Sequence, residues 1–181
     1  MRGMFLLLLV ISAASATVSG QADPRMTAYK GPVRSPLPCR DQDLSLRHLT
    51  DDAAMGGVRT IDYAFKNKSA SFCTLKGYPR FELLNKSGAV RPRGRAINSQ
   101  QLPGDEAKQQ PQLLTIDPGK EAGFRVYYNM GGAGYLGKPC PSSSKVGITA
   151  PGTTRRFVLR EQISSCGNVR VSAMRSELLS Q

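Results

Sequence analysis

Three guanidinium groups fall within five residues at Arg91-Pro92-Arg93-Gly94-Arg95. Arginine's planar fork grips carboxylate or phosphate through two parallel hydrogen bonds, so such a cluster has the chemistry to capture an anion. The pair Arg155-Arg156, with Lys86, extends that chemistry if folding brings it close. The plain alternative is a solvated basic loop. Aromatic residues do not alternate with these arginines, which argues against a stacking platform for single strands, and no specific nucleic-acid partner is expected.

Other residues of chemical interest are weaker. His48 is the single histidine, placed after Arg47 and before Asp51-Asp52. One imidazole cannot build a multi-histidine metal centre, and His48 reads as structural or incidental. Met26, Met55, Met130 and Met174 carry soft thioethers but lack the close spacing of a copper carrier. Asp51, Asp52, Asp105 and Glu106 sit in loop-like segments, from which no acid–base geometry can be inferred. Ser-His-Asp chemistry would have to draw on His48, and the chain has no Gly-x-Ser-x-Gly elbow. Tyr127, Tyr128 and Tyr135 flank a glycine-rich loop in the manner of a sugar or peptide groove, although alternation assigns Tyr128 to the core. These residues carry no enzyme signature and imply no metal and no cofactor.

The four cysteines are Cys39, Cys73, Cys140 and Cys166. No Cys-x-x-Cys pair is present, which speaks against zinc and against thiol redox catalysis. In an oxidising compartment they read as two disulfides, with three connectivities open. Proximity along the chain favours Cys39–Cys73 and Cys140–Cys166.

The elements that must position these groups come after an export signal. Arg2 precedes the apolar run Met4–Ile11, and Ala14-Ser15-Ala16 supplies a small-residue cleavage site, so residues 1–16 read as a cleaved signal peptide. The run is too short for a membrane span, and no cysteine near the junction offers a lipid attachment site. The expected location is periplasmic or secreted, with no transmembrane segment after cleavage. The formal charge of +12 draws such a protein toward anionic lipid or polysaccharide, or merely keeps it soluble. Residues 17–38 are rich in Gly and Pro and read as a flexible leader; about 140 residues then form one domain over 39–175, with a tail at 176–181.

Within the domain, Ile61, Tyr63 and Phe65 alternate with polar or small residues, as do Phe124, Val126 and Tyr128. Both are half-buried strands at period two. Further strands are expected at Leu44–Leu49, Phe81–Leu84, Leu113–Ile116, Val146–Ala150, Phe157–Arg160 and Val169–Ser172, with turns at Met55-Gly56-Gly57, Asp117-Pro118-Gly119-Lys120 and Pro151-Gly152. Asn67-Lys68-Ser69 and Asn85-Lys86-Ser87 match the glycosylation pattern but read as turns. Arg91–Gln112 is polar and broken by Pro and Gly, and reads as a long stretch without regular structure. About seven short strands punctuated this way define an all-β antiparallel sandwich.

The run Cys73-Thr74-Leu75-Lys76-Gly77-Tyr78-Pro79, the Pro118-Gly119 turn and the four cysteines carry a family resemblance. The chain resembles the secreted bacterial family called domain of unknown function 4232, over about Cys39 to Val171. The resemblance implies an immunoglobulin-like, disulfide-stapled sandwich in an exported, envelope-associated protein, and no catalytic residues. Two departures stand out: no tryptophan in the Ala122–Tyr128 strand, and the long Arg91–Gln112 segment. The expected function is an exported, non-catalytic module that binds an anionic envelope component through Arg91, Arg93 and Arg95, with Arg155 and Arg156 nearby. The alternative is a protein–protein interaction module or secreted inhibitor.

Overall fold

A computed structural model describes residues 36–53, 57–100, 110–131 and 139–176. These carry eleven strands: β1 (Leu44–Ala53), β2 (Val58–Asn67), β3 (Cys73–Leu75), β4 (Arg80–Leu84), β5 (Val90–Arg95), β6 (Ile97–Asn98), β7 (Leu114–Ile116), β8 (Glu121–Asn129), β9 (Ser142–Thr149), β10 (Arg156–Ser164) and β11 (Arg170–Val171). One sheet runs β1-β2-β8-β11-β6 and a second runs β10-β9-β4-β5, while β3 and β7 form a small third sheet. Every pairing is antiparallel except β11 with β6. The expected all-β antiparallel sandwich is therefore what forms. More strands are present than the sequence pattern suggests, because β3 and β6 are only two or three residues long and β5 lies in a segment broken by Pro and Gly.

The core lies between the two larger sheets. Tyr63 and Phe65 of β2 stack on Phe124 of β8, with ring centroids 5.4 and 5.7 Å apart. Across the sandwich, Tyr63 meets Phe81 of β4 at 5.9 Å and Phe65 meets Phe157 of β10 at 5.8 Å. Val146 and Ile148 of β9 close the far side. Large aromatics at alternate positions therefore bond the sheets by burial and tilted ring contacts.

Both disulfides have the pairing that chain proximity favours: Cys39–Cys73 and Cys140–Cys166. The first fixes the segment before β1 to β3, where Pro38 also bridges Thr74. Asn67, fully buried at the end of β2, does related work with its amide. Its Nδ2 donates to the Ser71 and Ile116 carbonyls, and its Oδ1 accepts from the Ser69 N–H and hydroxyl. The Asn67-Lys68-Ser69 pattern is thus a strand terminus with a saturated side chain. Asn85-Lys86-Ser87 forms the turn expected of it between β4 and β5.

One expectation is corrected. Arg91–Gln112 is not structureless throughout, since β5 and β6 occupy residues 90–95 and 97–98. Opposite β4, Val90 pairs Leu84 and Arg95 pairs Glu82, so Arg91 to Gly94 bulge out against Leu83 alone. Arg93 takes a positive φ of 56°, and a Cβ on Gly94 would sit 2.7 Å from the Leu83 carbonyl oxygen. Pro and Gly here build a bulge on an edge strand instead of ending it, which also blunts that edge against pairing with another chain. Residues 1–35, Met55-Gly56, residues 101–109, residues 132–138 with Tyr135, and residues 177–181 lie outside the described residues, as do the signal peptide, nearly all of the leader, Met26, Asp105 and Glu106.

Candidate functional site

Antiparallel partners project to the same face, so strand register maps the outer surface of the β10-β9-β4-β5 sheet. Three cross-strand rows result. The first holds Arg80, Thr149 and Arg156; the second Arg95, Glu82, Gly147 and Val158; the third Val90, Leu84, Lys145 and Arg160. The opposite parity, with Phe81, Leu83, Val146 and Ile148, faces the core. Five cations therefore share an outer face with a single carboxylate, Glu82. At about 3.4 Å per residue and 4.8 Å per strand, the three rows across four strands cover a patch of about 14 by 14 Å.

Glu82 organises this face. Its side chain is only 7% exposed and lies between two guanidinium groups: Arg95 Nε at 3.5 Å and Arg156 Nη1 at 3.3 Å. Arg156 pairs with Thr149, one row away, and must cross the sheet diagonally to reach Glu82. Gly147 makes that path possible. A Cβ there would stand 2.8 Å from Arg156 Cδ and 3.2 Å from a Leu84 methyl. The glycine is needed for close approach of a side chain, and its own backbone stays extended. Lys145 is held in place too, its Nζ donating to the Lys86 carbonyl at 3.0 Å. Val158, 50% exposed, stands at the end of the middle row.

The arginines singled out in the sequence divide between this face and its margins. Arg95 and Arg156 come together across Glu82. Arg91 and Arg93 sit in the adjoining bulge, where Arg91 Nη1 is buried with no hydrogen-bond partner among the described residues. Arg155 is separate: its guanidinium lies 4.6 Å from the Phe157 ring centre, on the other side of β10 from Arg156. Its backbone N–H donates to Asp41, as do the N–H and hydroxyl of Thr154. Those bonds hold the Asp41 carboxyl below its ordinary range, that of the Arg155 N–H contributing most. Arg80, Lys145 and Arg160 escape a search for runs of charge. Period-two alternation in Arg156-Phe157-Val158-Leu159-Arg160 is the signal that points to Arg160.

A second polar locality opens where the two sheets part, between β1 and β10. His48 Nε2 lies 2.9 Å from Asp51 Oδ1 and His48 Nδ1 lies 3.8 Å from Glu161 Oε1. Tyr63, at the core end of this cleft, donates its hydroxyl proton to Glu161. Burial pushes the Glu161 carboxyl above its usual range, opposed by the Tyr63 hydrogen bond and by His48. Burial likewise pushes the Tyr63 phenol far up, with Glu161 adding to it, and raises the phenol of Tyr128, which also lines the cleft. His48 is thus not isolated: Asp51 is three residues on, but Glu161 is distant in sequence and no spacing rule announces it.

Fold and site together describe a disulfide-stapled antiparallel β-sandwich that presents one basic sheet face. The profile of the family described as domain of unknown function (DUF4232) matches residues 39–175, and the chain belongs to that family. The match includes all four cysteines and both sheets. No curated protein matches the chain. Among the described residues, no helix is long and apolar enough to cross a membrane.

Proposed function

We propose that this protein is an exported, non-catalytic module that binds an anionic component of the cell envelope through the outer face of the β10-β9-β4-β5 sheet. The observation that carries this reading is the grouping of Arg80, Arg95, Lys145, Arg156 and Arg160 around one carboxylate on an open face. A potential summed over fixed cations attracts phosphate, sulfate or carboxylate groups and steers their encounter. Arg91 and Arg93 extend this face along the bulge, while Arg155 stands apart from it over the Phe157 ring. The two disulfides support export to an oxidising compartment.

The test is cosedimentation of the oxidised protein with phosphatidylglycerol and phosphatidylcholine vesicles, and with an acidic polysaccharide, over a salt series. The expected result is binding to the anionic partners that weakens with salt and falls when Arg95, Arg156 and Arg160 are changed together to Ser. Binding that ignores salt, or survives the triple change intact, sinks the proposal.

A further inference from the structure

The cleft between β1 and β10 lies beside the face that serves the proposed function and shares only Arg160 with it. We infer that it is a site for a divalent transition-metal cation of the zinc class, held by His48, Asp51 and Glu161. One ligand atom from each of these three residues lies within 4.8 Å of the others. Asp51 faces His48 Nε2 and Glu161 faces His48 Nδ1, and a single metal takes one of these nitrogens. Ligands at about 2.0–2.2 Å from a common metal stand roughly 3–4 Å apart, so the exposed His48 and Asp51 must turn to bring one nitrogen and both carboxylates onto the ion.

Independent features of the backbone and core point to the same place. β1 breaks register between His48 and Thr50, and β10 breaks register between Arg160 and Ile163. A bulge re-aims the side chains beside it. Here the two irregularities flank Asp51 and Glu161, and both carboxylates turn into the gap between sheets. Glu161 is 13% exposed by its side chain, yet accepts a single hydrogen bond, from Tyr63. Its Oε1 faces His48 at a distance too long for a hydrogen bond. Tyr128 supplies a further signal. It is 8% exposed and lines the cleft, but its hydroxyl makes no hydrogen bond to any described residue. A nine-tenths buried phenol facing open space is placed to bond a ligand, in this case a water or anion completing the coordination shell.

Ligand chemistry selects the ion. Imidazole with two carboxylates suits zinc, cobalt or manganese; calcium and magnesium prefer all-oxygen cages, and copper(I) calls for sulfur. Arg160, at the rim, is the one cation lining the cleft, against two carboxylates.

The test titrates the oxidised protein with zinc chloride by calorimetry, and with cobalt(II) by visible absorption. Wild type is expected to take one equivalent and to melt at a higher temperature with zinc present. His48→Asn and Asp51→Asn, both at exposed positions, each weaken zinc by at least about tenfold. Tyr128→Phe leaves the fold intact and shifts the cobalt spectrum. No uptake by wild type at millimolar zinc overturns the inference, as does equal uptake by wild type and the His48→Asn and Asp51→Asn variants.

Discussion

Replacing Glu82 with Gln separates recognition from stability, because the two should move in opposite directions. The carboxylate is the one negative group in the three rows of the basic face. A phosphate resting on Arg156 would stand about 6–8 Å from it, and at an effective dielectric of about 40–80 their repulsion is roughly 0.5–1.4 kcal/mol. Removing that charge tightens anion binding by about two- to tenfold. The fold pays in the other direction. Glu82 loses charge-assisted contacts to Arg95 at 3.5 Å and Arg156 at 3.3 Å. Both guanidinium groups reach solvent and rehydrate, so the loss is about 1–2 kcal/mol, below that of a fully buried pair. For a domain of this size the melting midpoint falls by about 2–6 °C. Vesicle binding at low salt and thermal melts, run on the same preparations, read both effects. Tighter binding by a less stable protein is the expected outcome. Unchanged or weaker binding by the Gln variant would refute the view that this face, with its net positive charge, is what meets the anion.

Three other perturbations probe the scaffold and the cleft. Asn67→Ala strips partners from the Ser69 N–H and from the Ser71 and Ile116 carbonyls, and should cost about 2–4 kcal/mol by urea denaturation; a loss under 1 kcal/mol would mean that water replaces the amide. Reducing the disulfides, whose cysteines are 34 and 26 residues apart, should lower stability by about 3–4 kcal/mol per bond in the same assay; no shift in the midpoint would rule out an unfolded-state constraint. Glu161→Gln should stabilise the metal-free protein at neutral pH. Burial holds the folded-state carboxyl above its unfolded value, so the ionised form is disfavoured in the fold once pH exceeds that value. The advantage of Gln should shrink as pH falls through the raised folded-state value toward about 4.5, and a gain independent of pH would contradict this account.

Much of this architecture is legible in the residues. Alternation at Ile61-Tyr63-Phe65 and Phe124-Val126-Tyr128 marks two central strands because one face of each is buried and the other is not. Cysteine spacing points to the right staples because each loop closes locally. The basic segment at Arg91–Arg95 is legible as chemistry but not as structure. Its Pro and Gly read as breakers, and only the pairing with β4 reveals a bulge. The cleft is harder still. Asp51 is three residues from His48, but Glu161 is more than a hundred away, and only the facing of β1 and β10 joins them. Arg80, Lys145 and Arg160 are invisible to a search for charge runs for the same reason: a sheet collects its face from alternate residues of separate strands.

That distinction bears on what the charge is for. Solubility asks only for net charge, wherever it lies. The outer face shows a more ordered arrangement. Gly147 clears a path for the Arg156 stem, Glu82 fixes the heads of Arg156 and Arg95, and the Lys86 carbonyl holds Lys145. Each restraint lowers the conformational entropy that a long side chain would otherwise lose on meeting a partner, which is how preorganisation raises affinity. A buried carboxylate that costs net charge makes little sense as a solubility device, but it makes sense as a clamp. Glu82→Gln keeps an amide oxygen to hold the two arginines while removing the charge that repels an anion. On this reasoning Gly147→Ala, which leaves every charge in place, should weaken anion binding while leaving net charge and electrophoretic mobility unchanged. If binding tracks total charge alone, the alanine variant will bind like wild type, and the order on this face will have no part in recognition.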